Sequence, residues 1–233
     1  MSARLEIELA CEPMERVAAE LAVAFRFDED RPLRGPAGRA DWRLCGDLSR
    51  FAVGADATLA AAADTSSAAA ADTSSAANAD ASNAARALLL PTDGRLRAER
   101  LLLLCLGSAE GFAADDCARA VREATRRALD LRAHSLAMGP PGDWLDRIPV
   151  GIGAQACVRG AVAALAGTRE SLEIRLVVPP ERAARVIRGL EAAAADMRDR
   201  GVSVALPRAE RLASPRSPAP RAGIPPSAPT SRP

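Results

Sequence analysis

Residues 88–107 read LLLPTDGRLRAERLLLLCLG: two leucine-rich runs joined by a polar turn that holds Gly94, and closed by Leu106-Gly107. The runs, Ala87 to Leu90 and Arg100 to Leu106, are continuously apolar rather than alternating. That is the pattern of strands covered on both faces, because a half-exposed strand alternates with period two. A second segment, RPLRGPAGRADWRLCGDLSR at 31–50, is a glycine-punctuated loop running into a short amphipathic helix. Asp41 is the expected start of that helix, with Leu44, Leu48 and Phe51 on one stripe.

Outward from these segments, strand and helix patterns alternate. Leu5, Ile7 and Leu9 interleave with charged residues as a half-exposed strand, and Ala22 to Phe27 reads as a more buried one. Asp115 to Leu131 has helical spacing with Cys117, Val121, Ala124, Ala128 and Leu131 inward. Ser135 to Met138 is a short strand stopped by Gly139-Pro140-Pro141-Gly142. Gln155 to Leu165 aligns Val158, Val162 and Leu165 as a helix, and Leu172 to Val178 alternates as a strand. Glu181 to Arg200 reads as one long helix on Val186, Ile187, Leu190 and Met197, followed by a strand at Val202 to Leu206. Strands separated by helices of this length imply a mostly parallel sheet with helices on both faces.

Composition bounds the function. The chain has 233 residues and its hydrophobic content is 48%, but much of that is alanine, which buries little area. All 31 basic residues are arginine; against 30 acidic ones the net charge is +1, so no bulk field favours nucleic acid or anionic lipid. The cysteines, Cys11, Cys45, Cys105, Cys117 and Cys157, are scattered with no C-x-x-C, and His134 is the sole histidine. A zinc site needs about four clustered ligands, so none is expected. Buried, reduced thiols are expected instead, as in a cytoplasmic protein. Glu6, Glu8 and Glu12 near the N-terminus argue against a signal peptide, and no run approaches the ~18 apolar residues of a membrane span.

Two stretches stand apart from the core. Residues 60–83 repeat AAAADTSS twice and then a degraded AANADASN, with no large apolar residue to offset chain entropy. We take 57–86 as a flexible insert in one α/β domain over 1–212, and the Pro/Ser/Arg-rich stretch 213–233 as a disordered tail.

In their order and spacing, Pro32, Gly35, Asp41, Gly46, Leu48, Gly94 and the Leu106-Gly107 end resemble the N-terminal, macro-like domain of the M17 leucyl aminopeptidases. The resemblance is best over residues 20–110 apart from the insert, and looser through the Asp115 and Glu181 helices. It implies a macro-like three-layer α/β/α domain with a mostly parallel mixed sheet. In that family a catalytic domain follows, holding two metal ions through Asp, Glu and Lys and marked by an Asn-Thr-Asp-Ala-Glu-Gly-Arg segment. This chain has neither that segment nor a lysine, so no metal ligand or catalytic residue carries over. The implied role is a non-catalytic, stand-alone domain for binding or assembly, and the reading leans against an enzyme.

Independent chemistry is sparse. Asp28-Glu29-Asp30 and Asp115-Asp116 read as solvated or helix-dipole charges rather than an acid/base pair. Ser135 beside His134 lacks a nucleophile elbow. The Gly107-Ser108 turn follows a buried strand and precedes a helix, the place where ligands sit in open α/β sheets. Arg31 and Arg34, with Gly35 and Gly38, bring guanidiniums and backbone N–H groups to a loop suited to phosphate. The family's true macro-domain relatives bind ADP-ribose through glycine-rich loops in comparable positions. The candidate ligand-binding residues are therefore Arg31, Arg34, Gly35, Gly38, Gly107 and Ser108, although turn closure and helix packing are the first reading of the glycines, with no G-x-G-x-x-G present. Trp42 and Trp144 read first as plugs at core edges and second as stacking surfaces.

The alternative to a binding or assembly domain is thus a nucleotide or ADP-ribose-type ligand module, or an accessory chain of an aminopeptidase. Compatible partners are a second copy, another protein, or a small phosphorylated ligand. Nucleic acid and membrane are disfavoured, no cofactor is implied, and the expected location is the cytoplasm.

Overall fold

The computed structural model describes residues 3–53 and 87–207; the expected insert at 57–86 and tail at 213–233 lie outside the described residues. The strands are β1 (Ala3–Ala10), β2 (Ala19–Arg26), β3 (Ala87–Pro91), β4 (Ala98–Cys105), β5 (Ser135–Met138), β6 (Ser171–Val177) and β7 (Val202–Ala205). The helices are α1 (Gly35–Arg43), α2 (Ala114–Asp130), α3 (Val150–Leu165) and α4 (Ala183–Asp196), with a further helical stretch at 47–53. Together they form a three-layer α/β/α domain around one seven-stranded sheet of order β3-β4-β2-β5-β6-β1-β7. Among the described strands only β3 pairs antiparallel, against β4; every other neighbouring pair is parallel. The Ala87 to Leu90 run is therefore not covered on both faces as its pattern suggests: β3 lies at the sheet edge, and Leu89 is 40% exposed.

Alternation along β2 decides what lies on each face. Leu21, Val23 and Phe25 point into the larger core, where α2, α3 and α4 cover the sheet with Val121, Val158, Val162, Val186 and Leu190. Ala22 and Ala24 point the other way and leave room for α1, the turn after it and the 47–53 helix, which contribute Ala37 and Ala40, Leu44, and Leu48 in turn. Small residues on this face let α1 sit close against β2, which brings the α1 N-terminus over the strand's carboxyl end. On the larger face, α2 and α3 approach so closely that a Cβ at Gly160 would lie 2.3 Å from the Ala118 carbonyl oxygen and 2.9 Å from Val121 Cβ.

Several expectations need correction. The helix begins at Gly35, six residues before Asp41, and breaks after Arg43. Asp41 serves the next helix instead: its carboxylate accepts from Ser49 N at 3.0 Å and Ser49 Oγ at 2.5 Å. Leu44 and Leu48 are buried as read, but Phe51 is 52% exposed, because the turn at 44–46 between the two helices rotates it off the stripe. The expected 181–200 helix is one α-helix flanked by single 3-10 turns at Pro180–Arg182 and Arg198–Arg200. Of the five thiols expected to be buried, Cys105, Cys117 and Cys157 are, whereas Cys11 and Cys45 are exposed. No helix among the described residues is long and apolar enough to cross a membrane.

Replacing Gly160 with alanine should lower the unfolding free energy by about 1–3 kcal/mol, the usual cost of overpacking, against about 1 kcal/mol gained in helix propensity. Urea unfolding checks this; an unchanged midpoint would contradict the close α2–α3 approach.

Candidate functional site

Parallel pairing gathers the loops after β2, β4, β5 and β6 at one edge of the sheet. The ladder between β2 and β4 runs on past the strands, with Leu106 N donating to Arg26 O at 2.8 Å and Asp28 N to Gly107 O at 2.9 Å. Beyond that point the chain must turn, and the three carboxylates of 28–30 are each captured. Asp28 accepts from the Cys105 thiol at 3.0 Å. Burial first, and then this hydrogen bond, push the Cys105 thiol up to about 11. Asp30, buried, accepts from Phe27 N at 2.9 Å and lies 3.9 Å from Arg34 Nε. Glu29 reaches across to the loop after β4, accepting from Ser108 Oγ at 2.6 Å and Ala109 N at 3.1 Å.

Between these loops sit three aromatic rings. Phe27 packs edge-on against Phe112, with centroids 5.0 Å apart, and tilted against Trp144 at 5.5 Å. Trp144 lies against the start of α1, so a Cβ at Gly35 would sit 3.0 Å from its ring. Its Nε1 is buried with no hydrogen-bond partner. The loop that carries Trp144 is tied to its neighbours at both sides: Arg182 donates to Asp143 and Asp146 at 2.8 Å each, and Arg147 donates to Ala109 O at 2.6 Å. Burial raises the Asp143 carboxyl pKa even though the Arg182 guanidinium opposes the shift.

The candidate residues from the sequence fall into two groups. Arg31 and Arg34 are exposed on the loop leading into α1, and the Arg31-Pro32 peptide is cis. Gly35 and Gly38 begin α1, and both also answer packing demands: Gly35 faces Trp144, and a Cβ at Gly38 would lie 2.4 Å from the Leu33 carbonyl oxygen. Gly107 and Ser108 belong to the loop after β4, where the Ser108 hydroxyl is occupied by Glu29. Glu29 thus links the two groups, a role its acidic neighbours gave no reason to suspect.

Sequence reasoning placed both tryptophans at core edges, and the structure separates them. Trp144 plugs the loop cluster, whereas Trp42 is 77% exposed, with the Arg43 guanidinium 5.6 Å from its ring centroid. Trp42 borders an open groove of about 590 Å³ formed with Leu33, Gly35, Gly38 and Arg39. At its floor Glu15 pairs with Arg39 at 3.6 Å. This groove is where an exposed π-face, guanidiniums and a glycine-started helix come together.

No family model and no curated protein matches the chain. Solved structures do. Two single-residue mutants of the Oceanobacillus iheyensis macrodomain superpose with TM-scores of 0.54 and 0.52 at 11% and 10% identity, covering 82% of this chain and 93% and 89% of theirs. A Trypanosoma brucei macrodomain gives 0.50 at 11% identity, covering 78% of this chain and 65% of that one. At such identity the likeness shows the fold, which is macro-like. It also corrects the relationship expected from the sequence: the fold runs to macrodomains rather than to the M17 aminopeptidase N-terminal domain. The residues behind that expectation are turn formers. Gly35, Gly46, Gly94 and Gly107 all have positive φ, so any α/β chain turning at these points favours glycine there.

Two measurements check the site's geometry. In Trp42→Phe, the remaining emission from Trp144 should be blue-shifted and resist acrylamide quenching, whereas the wild type should quench strongly. Alkylation near pH 8 should label Cys11 and Cys45 and spare Cys105 until the protein unfolds, because a buried thiol with a raised pKa stays protonated.

Proposed function

We propose that this chain is a macro-like binding module for a phosphorylated, nucleotide-type ligand of the ADP-ribose class, taken at the groove along α1. The observation that carries the reading is Trp42, whose ring is 77% exposed beside a groove walled by Gly35, Gly38 and Arg39. An apolar ring of that size in water costs free energy unless a partner covers it. A base stacked on it would recover that cost, and a guanidinium reads a phosphate through paired N–H donors. Arg31 and Arg34 stand on the loop that enters the same helix, and the groove's volume falls within the range of small-molecule sites. The macrodomain likeness supports the fold on which such a site is built.

The test is calorimetric titration with ADP-ribose, with AMP and ribose 5-phosphate as partial ligands. Stacking on an aromatic side chain is worth about 1–3 kcal/mol per base, so Trp42→Ala should weaken ADP-ribose binding about 5- to 150-fold while leaving ribose 5-phosphate almost unaffected. Arg34→Ala should weaken both and flatten the dependence on salt. An ADP-ribose affinity indifferent to both substitutions would refute the reading.

A partner-binding role for the same surface is favoured by a separate fact: Trp42, Phe51 and Val53, all on α1 and the 47–53 helix, are the most exposed large apolar side chains among the described residues. Light scattering of wild type against Trp42→Ala/Phe51→Ser distinguishes self-association from a small-ligand site.

A further inference from the structure

Of the three carboxylates that leave β2, Glu29 alone is fully exposed and yet held at both oxygens. Its donors lie about 80 positions away in the chain, on the loop after β4. Ser108 Oγ donates to one oxygen at 2.6 Å and Ala109 N to the other at 3.1 Å. Ser108 Oγ in turn accepts from Glu110 N at 3.1 Å, which directs its proton away from that amide and toward Glu29. At the start of α2 a separate carboxylate, Asp116, accepts from Ala113 N at 2.8 Å. One hydroxyl and one amide therefore converge on a single anion, and the anion is the chain's own. The contact lowers the Glu29 pKa, chiefly through Ser108, so the carboxylate is ionised at neutral pH.

The geometry points to a second anion subsite, formed by Ser108 Oγ and Ala109 N–H and held shut by Glu29 as an intrachain competitor. Its ligand is a phosphate group, whose oxygens match the carboxylate's spacing and acceptor chemistry. The inference rests on the proposed function for its biological ligand, since a nucleotide with two phosphates supplies a second anion to a neighbouring loop. It goes beyond that reading in making Glu29 a gate. Glu29 sits two residues before Arg31, and Arg31 N donates to its carbonyl oxygen at 2.8 Å, so moving Glu29 also shifts the loop entering α1. A ligand that must displace a tethered competitor shows its intrinsic affinity reduced by the fraction of molecules in which the subsite is open.

The experiment is titration of the full chain with inorganic pyrophosphate, read by calorimetry and by the Ala109 amide shift in NMR. Glu29→Ala should bind pyrophosphate about tenfold tighter than wild type or better, with the Ala109 resonance moving on binding. Adding Ser108→Ala should abolish the gain. Glu29→Gln, which keeps the side chain's shape and removes its charge, should show a smaller gain and covers the case in which Glu29→Ala does not fold. Glu110→Ala removes an equal charge from the same loop and should show none. Equal pyrophosphate affinity in wild type and both Glu29 variants would overturn the inference. So would a gain that survives Ser108→Ala, or one that Glu110→Ala reproduces. A Ser108-dependent gain in a protein that does not bind ADP-ribose would uphold the subsite and refute the proposed function. ADP-ribose binding through Trp42 without such a gain would do the reverse.

Discussion

Parallel pairing of β2, with β4 on one side and β5 on the other, is the constraint on which the rest of this structure depends. Parallel strands deliver all their carboxyl ends to one edge, and the chain returns across a face, as it does through α2, α3 and α4. The loops after β2, β4, β5 and β6 therefore have to share one small volume, whatever they contain. The chain fills that volume with Phe27, Phe112 and Trp144 and laces its rim with ion pairs and hydrogen bonds. The rings exclude water from the strand ends, which in turn strengthens the polar contacts around them.

That filling bears on function. A crevice occupied by its own aromatic rings offers a ligand less room than the fold would otherwise provide, and binding features shift to its border. There α1 starts at Gly35, held against Trp144 on its inner side and open to the Trp42 groove on its outer side. Glu29 ties the β2 and β4 loops together at the same border. Asp28 and Glu29 thus cross-link the β2 and β4 ends by accepting from the Cys105 thiol and the Ser108 hydroxyl, whereas Asp30 closes its own turn by accepting from Phe27 N. None of the three is left as a bare charge facing an incoming phosphate.

The sequence determined the layers. The unbroken leucine run at β4, alternation at β1 and β6, and the helical stripes of α2, α3 and α4 each arise from local periodicity set against burial, and these are legible without coordinates. The similar run at β3 reads the same way and yet forms the edge strand, with Leu89 40% exposed, because a run of leucines does not record which strand arrives beside it. The pairing and register of the parallel strands depend on contacts distant in the chain, and the tertiary structure decided them, whereas β3 pairs with β4 across the short turn at 92–97. The site divides in the same way. Arg31, Arg34, Gly35 and Gly38 were legible as a loop before a helix, because glycine and proline punctuate the backbone locally. The exposure of Trp42, the packing of Trp144 against Gly35 and Phe27, Asp41 as partner of Ser49 and Glu29 as partner of Ser108 were not legible. The contacts of Trp144 and of Glu29 depend on backbone distant in the chain, and that of Asp41 on how the chain turns between two short helices; composition and spacing carry no record of either.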